Sequence, residues 1–146
     1  MMDTLKAPQA AEFSGLKVMV VDDSKTIRRT AETLLAKAGC IIDTAVDGFD
    51  ALGRIPVFEP DLIFIDILMP RLDGYQTCAL IKNNRHFRRT PVILLSSKDS
   101  IFDKARGRIV GADDYLTKPF TSEELLTALR KHAWRAKNPE SLTLVG

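Results

Sequence analysis

Three short runs, KVMVV (17–21), DLIFID (61–66) and PVILL (91–95), are apolar on consecutive residues. A strand with one face in water alternates apolar and polar side chains. A strand apolar on successive residues has both faces covered, as in a parallel sheet flanked by helices. Two weaker candidates, IIDTAV (41–46) and DDYLT (113–117), bring the strands to five. The stretches between them carry helical spacing, so the chain reads as βα repeated five times. That pattern predicts a doubly wound α/β fold around one parallel sheet, with Val18–Val21 as its central buried strand.

The helices are marked by their periodicity and their ends. In the first, Ile27, Ala31, Leu34, Leu35 and Ala38 share a face, and Gly39 ends it. The second follows Asp47 and is expected to stop before Pro56, since the residue preceding a proline is biased away from helical angles. The third starts at Asp73, with Gln76 three residues on, the spacing of a capping box. Ile101, Ala105 and Ile109 mark an inner stripe in the fourth. The last opens on Thr121 and Glu124, a second capping box, with Leu125, Leu129 and His132–Ala133 facing inward.

A chain of 146 residues suits one domain with a real core. Residues 1–15 read as a flexible N-terminal leader, 16–135 as the folded domain and 136–146 as a C-terminal tail too short for a second domain. The leader lacks the apolar stretch of a signal peptide. No apolar run approaches the ~20 residues of a membrane span. The expectation is a cytoplasmic protein with no membrane contact. A net charge of +2 gives no overall basic field for nucleic acid. Two cysteines, Cys40 and Cys78, are too few for a disulfide framework and read as small reduced core residues. His86 and His132 share no spacing with other ligand residues, which argues against a zinc site. The run IKNNRHFRR (81–89) holds Lys82, Arg85, Arg88 and Arg89. A solvated loop is the simpler reading of it, and a docking patch for an acidic partner the sharper one.

In open parallel sheets, ligands bind beyond the carboxyl ends of the strands. Strand one ends in Asp22-Asp23, strand three in Asp66, strand four in Ser96-Ser97 and strand five in Lys118-Pro119. Singly, an Asp after a strand is more often a helix cap than a catalyst. Together, three carboxylates repel one another and raise one another's pKa unless a cation joins them. A hard divalent ion with oxygen ligands, magnesium above all, suits one or two carboxylates plus waters and phosphate oxygens. Lys118 adds a point charge matched to a phosphoryl group. No GxxxxGK[ST] loop or GxGxxG fingerprint is present to hold a nucleotide. A carboxylate nucleophile that forms an aspartyl phosphate is therefore the better reading.

VDDS (21–24), DILMPRLDG (66–74), LLSS (94–97) and DYLTKPF (114–120) occur in this order. The set resembles the response-regulator receiver domain, of which the chemotaxis protein CheY is the minimal member, over about residues 16–135. The resemblance implies a flavodoxin-like sheet of order 2-1-3-4-5. It implies Asp66 as phosphoacceptor, Asp23 as a direct ligand of Mg2+ with Asp22 assisting, and the backbone carbonyl of Leu68 as a further ligand. Ser96 would be the switch hydroxyl, Lys118 the partner of the phosphoryl group, Tyr115 the aromatic switch, and Lys118-Pro119 a cis peptide. Leu68 and Lys98 would tune phosphate lifetime.

The implied partners are a histidine kinase and a separate output protein, reached by a monomer through its fourth helix, fifth strand and fifth helix. DDSKTIRRTAETLL, DGYQTCALIKNN and SSKDSIFDKARGRIVGADDYLTKPF further resemble the PilG-type regulators of type IV pilus twitching motility. Two alternatives remain at this point. A phosphohydrolase of the haloacid dehalogenase type also uses a strand-end Asp, but one that begins a DxD motif, whereas Asp66 precedes Ile67-Leu68. A receiver that is never phosphorylated, acting only as an adaptor, would not need all five key residues.

Overall fold

The computed structural model describes residues 13–97 and 101–137. Its strands are β1 (Lys17–Val21), β2 (Ile41–Ala45), β3 (Leu62–Asp66), β4 (Val92–Ser96) and β5 (Asp114–Thr117). Its helices are α1 (Lys25–Lys37), α2 (Gly48–Phe58), α3 (Gly74–Lys82), α4 (Ile101–Ile109) and α5 (Ser122–Lys137). All strand pairs are parallel, in the order β2-β1-β3-β4-β5. The strands that read as consecutively apolar are the three interior ones, and β3 and β4 are buried at every residue. The weaker two are the half-buried edges. β3 holds the middle of the sheet and β1 lies beside it, so Val18–Val21 form an interior strand rather than the central one.

Side-chain alternation divides the core in two. Val18, Val20, Leu62, Phe64, Ile93 and Leu95 pack on one face with Ala31 and Leu35 of α1 and Leu125 and Leu129 of α5. Met19, Val21, Ile63, Ile65 and Leu94 pack on the other with Ala51, Ile55, Cys78 and Ile81 of α2 and α3. Phe13 is buried in the first core, so packing reaches back into the stretch that reads as leader. Arg130 of α5 lies 5.9 Å from its ring centre. α5 continues to Lys137. Both cysteines are free thiols, and burial pushes Cys40 up to about 11 and Cys78 up to about 12.

Ser24 caps α1 by accepting the Ile27 amide. The two capping boxes fall where the sequence places them: Asp73 and Gln76 close one reciprocally, and Thr121 and Glu124 close the other. Two helices depart from expectation. α2 does not stop before Pro56 but runs through it to Phe58. The proline ring sits on the solvent side near the helix end and forfeits one backbone bond. Ile55, buried just before it, and Phe58 keep the last turn on the core, and Glu59 ends it with a left-handed φ of 54°. In α4, Ile109 is 84 % exposed, so the expected stripe is broken. The inward position is Gly107, where an added Cβ would lie 3.1 Å from Leu94. At that distance Leu94 would have to shift by a few tenths of an ångström to admit a side chain, while Ile109 faces solvent.

Candidate functional site

The register carries the carboxylates to one place. Val21 pairs with Ile65, so Asp22 and Asp66 are the next residues along adjacent strands. Both continue the alternation that faces α1 and α5, on strands ~4.8 Å apart. The order β2-β1-β3 reverses direction between these two strands, the position where open sheets form a crevice. Asp22 is fully buried, Asp66 is 3 % exposed and Asp23 faces solvent. Ligand oxygens of the three lie within 4.8 Å of one another.

Each carboxylate is held by local chain geometry. Asp22 Oδ1 accepts the Ser24 amide at 2.9 Å, and Arg28 donates to the Asp22 carbonyl at 2.7 Å. The turn that caps α1 thus also fixes Asp22. β4 presents Ser96, which is buried, and its carbonyl accepts the Lys118 amide at 2.6 Å. That bond places Lys118 after β5, with its peptide to Pro119 in the cis form. Lys118 Nζ donates to Asp66 Oδ1 at 3.0 Å and to Asp22 Oδ2 at 3.3 Å.

Electrostatics sets the cluster apart from an ordinary ion pair. Burial, then the Asp22 charge, pushes the Asp66 carboxyl up to about 6, against the opposing pull of Lys118. Burial works against the Lys118 charge, but the Asp66 hydrogen bond and the Asp22 charge outweigh it and hold the ammonium above its usual range. Among the described residues, three carboxylates thus face one ammonium, and the cluster carries excess negative charge.

The loop after Asp66 closes when the Gly74 amide bonds the Ile67 carbonyl at 2.9 Å. An added Cβ on Gly74 would lie 2.4 Å from the Asp66 carbonyl oxygen, so only glycine brings α3 this near the acceptor strand. Within the loop, Arg71 has a left-handed φ of 68° and pairs with Asp47, the α2 cap, at 2.7 Å. Neither contact was singled out from sequence; the DG pair before a helical pattern was the available signal for Gly74. The Leu68 side chain is 68 % exposed.

Beside the carboxylates, Ser96, Leu68, Tyr75 and Arg106 line a cleft of about 150 Å³. Tyr75 donates to the Asp103 carbonyl at 3.2 Å, and Arg106 stacks 4.4 Å from its ring centre. Tyr115 is half-buried on β5, with Lys104 5.9 Å from its ring centre. Lys98 lies outside the described residues. Among the described residues, no helix is long and apolar enough to cross a membrane.

The family model for the response regulator receiver domain matches residues 18–130. Protein PilG of Pseudomonas aeruginosa is 72% identical over 121 residues, which cover 83% of this chain and 90% of that protein. The probable transcriptional regulator ycf27 of Cyanophora paradoxa is 38% identical over 128 residues, and the chain spans about half of its length. The chemotaxis protein CheY4 of Vibrio cholerae superposes with a TM-score of 0.79 at 34% identity, covering 82% of this chain and 99% of that one.

Proposed function

The chain belongs to the response regulator receiver family, and from that premise we propose that Asp66 takes a phosphoryl group from the phosphohistidine of a histidine kinase. The observation that carries this is a buried carboxylate held by Lys118 at 3.0 Å, next to two further carboxylates. Asp66 attacks phosphorus in line with the leaving imidazole nitrogen; the P–N bond breaks as the new P–O bond forms. Lys118 lies where it can offset charge on the transferring oxygens.

The donor set fits a magnesium ion. All three groups are hard oxygen donors, and their spacing is within a small adjustment of octahedral ligands at ~2.1 Å from the metal. Asp23 and Asp66 would hold it directly with the Leu68 carbonyl, while Asp22 assists from its fixed position. When bound, the ion supplies positive charge to the phosphoryl oxygens and relieves the repulsion among the carboxylates.

Ser96 is the hydroxyl we assign to the product acyl phosphate, and Tyr115 the ring that responds to it. The response biases two pre-existing conformations by the difference in their contacts. The surface built from α4, β5 and α5 carries the signal to a separate output protein in the cytoplasm. The identity to PilG over most of both chains supports placing that output in type IV pilus twitching motility. Treatment with acetyl phosphate and Mg2+, followed by borohydride trapping and peptide mapping, tests the site. Trapped label at Asp66 supports the reading, and label at another residue contradicts it.

A further inference from the structure

The run at 81–89 is not a set of four equivalent cations. Lys82 Nζ turns inward, pairing with Asp113 at 2.7 Å and donating to the carbonyls of Thr90 at 2.7 Å and Arg88 at 3.3 Å. It pins the loop to the start of β5. The loop is further closed on itself: the amides of Phe87 and Arg88 both bond the Asn84 carbonyl, Thr90 bonds the Phe87 carbonyl, and Asn84 accepts the His86 amide. Phe87 packs against the core. Arg85, Arg88 and Arg89 are left exposed on this braced turn, and no carboxylate among the described residues pairs with any of them. Arg54 and Arg71, by contrast, are paired.

We propose that the α3–β4 loop is a docking surface for an acidic protein segment, held whether or not Asp66 is phosphorylated. Three guanidinium groups within about 15 Å of chain repel one another and are offered to solvent on a fixed backbone. Their planar forks match carboxylates in a bidentate manner, and bracing the loop in advance lowers the ordering cost of binding. A protein partner suits the patch better than nucleic acid, because the chain-wide charge is only +2 and Phe87, the loop's largest ring, packs against the core. It suits the patch better than a membrane, because the loop presents no exposed large apolar side chain to insert. Independence from phosphorylation follows from placement. The loop precedes β4 and the carboxylates follow β1 and β3, so the length of the strands, about 16 Å for five residues, separates them.

The test is fluorescence anisotropy with a labelled Glu/Asp-rich peptide, between about 10 mM and about 150 mM salt. Arg85→Glu/Arg88→Glu is compared with Arg29→Glu/Lys37→Glu on α1, which changes net charge equally. The loop variant should bind roughly tenfold more weakly than wild type, and the α1 variant about as wild type does. Arg85→Gln/Arg88→Gln, which leaves the backbone bonds of the loop in place, should fall between. Beryllofluoride with Mg2+ should leave the wild-type affinity unchanged. Equal loss in the loop and α1 variants overturns the proposal. So does tighter binding of duplex DNA or anionic vesicles than of the peptide, or an affinity that follows beryllofluoride.

Discussion

Asp66 carries a charge that its surroundings resist. Its carboxyl is pushed from 3.8 to about 6 by burial and by Asp22. Between those values the folded chain binds more protons than the unfolded one, so stability falls as pH rises through that window. Above it, the group costs the metal-free fold about 3 kcal/mol. Asp66→Asn should therefore raise the urea midpoint of the metal-free protein near neutral pH. That gain should shrink as pH falls and vanish only well below 3.8, where Asp66 is protonated in both states. Proton and metal compete for the same oxygens, so the rise in Tm given by Mg2+ should fade as pH drops below about 6. Leu68, exposed beside the acceptor and apolar, offers no hydrogen bond to an attacking water. Leu68→Asn should shorten the lifetime of the phosphorylated protein several-fold; an unchanged decay would remove Leu68 from the account.

Each site group is delivered by an element whose own stability depends on the delivery. Gly74 starts α3 where a Cβ would collide with the backbone of Asp66 and Ile67. Backbone cannot give way cheaply, so Gly74→Ala should cost about 1–3 kcal/mol in urea unfolding and slow phosphorylation as Asp66 is displaced. β5 and α5 are joined by His132 Nε2 and Asp114 Oδ2 at 2.8 Å, with His132 buried. The His132 bond, foremost, holds the Asp114 carboxyl below its usual range. Its contribution is thus present above the ordinary carboxylate pKa and is lost as pH falls through the depressed one. Asp114→Ala strands a buried imidazole and should cost about 1–3 kcal/mol at neutral pH. Strands, caps and strand-end acids were legible in the sequence because period, capping pairs and apolar runs are local. The His132–Asp114 tie, the inward turn of Lys82 toward Asp113 and the close approach of Gly107 to Leu94 were not, since each joins elements distant in the chain. Pro56 misled because burial of Ile55 and packing of Phe58 outweighed one lost hydrogen bond.

The whole molecule has two chemically opposed ends. Carboxylates gather where β1 and β3 finish, and arginines stand on the loop from which β4 begins. A partner at the second end leaves the first open to a kinase. The sheet order and the chain's place among receiver domains followed from a few motifs in sequence, whereas the braced loop required the fold. The resemblance already implied unequal roles for Asp22 and Asp23; their difference in burial, Asp22 fully buried and Asp23 in solvent, is visible only in three dimensions. The central claim is that this strand-end cluster is one metal-assisted phosphoryl acceptor centred on Asp66. Intact-mass measurement after acetyl phosphate treatment, with Mg2+ or with EDTA, tests it most directly. Wild type should gain a single phosphoryl group in Mg2+ and none in EDTA, and Asp66→Asn none in either. An adduct on Asp66→Asn, or an equal yield in EDTA, would contradict it.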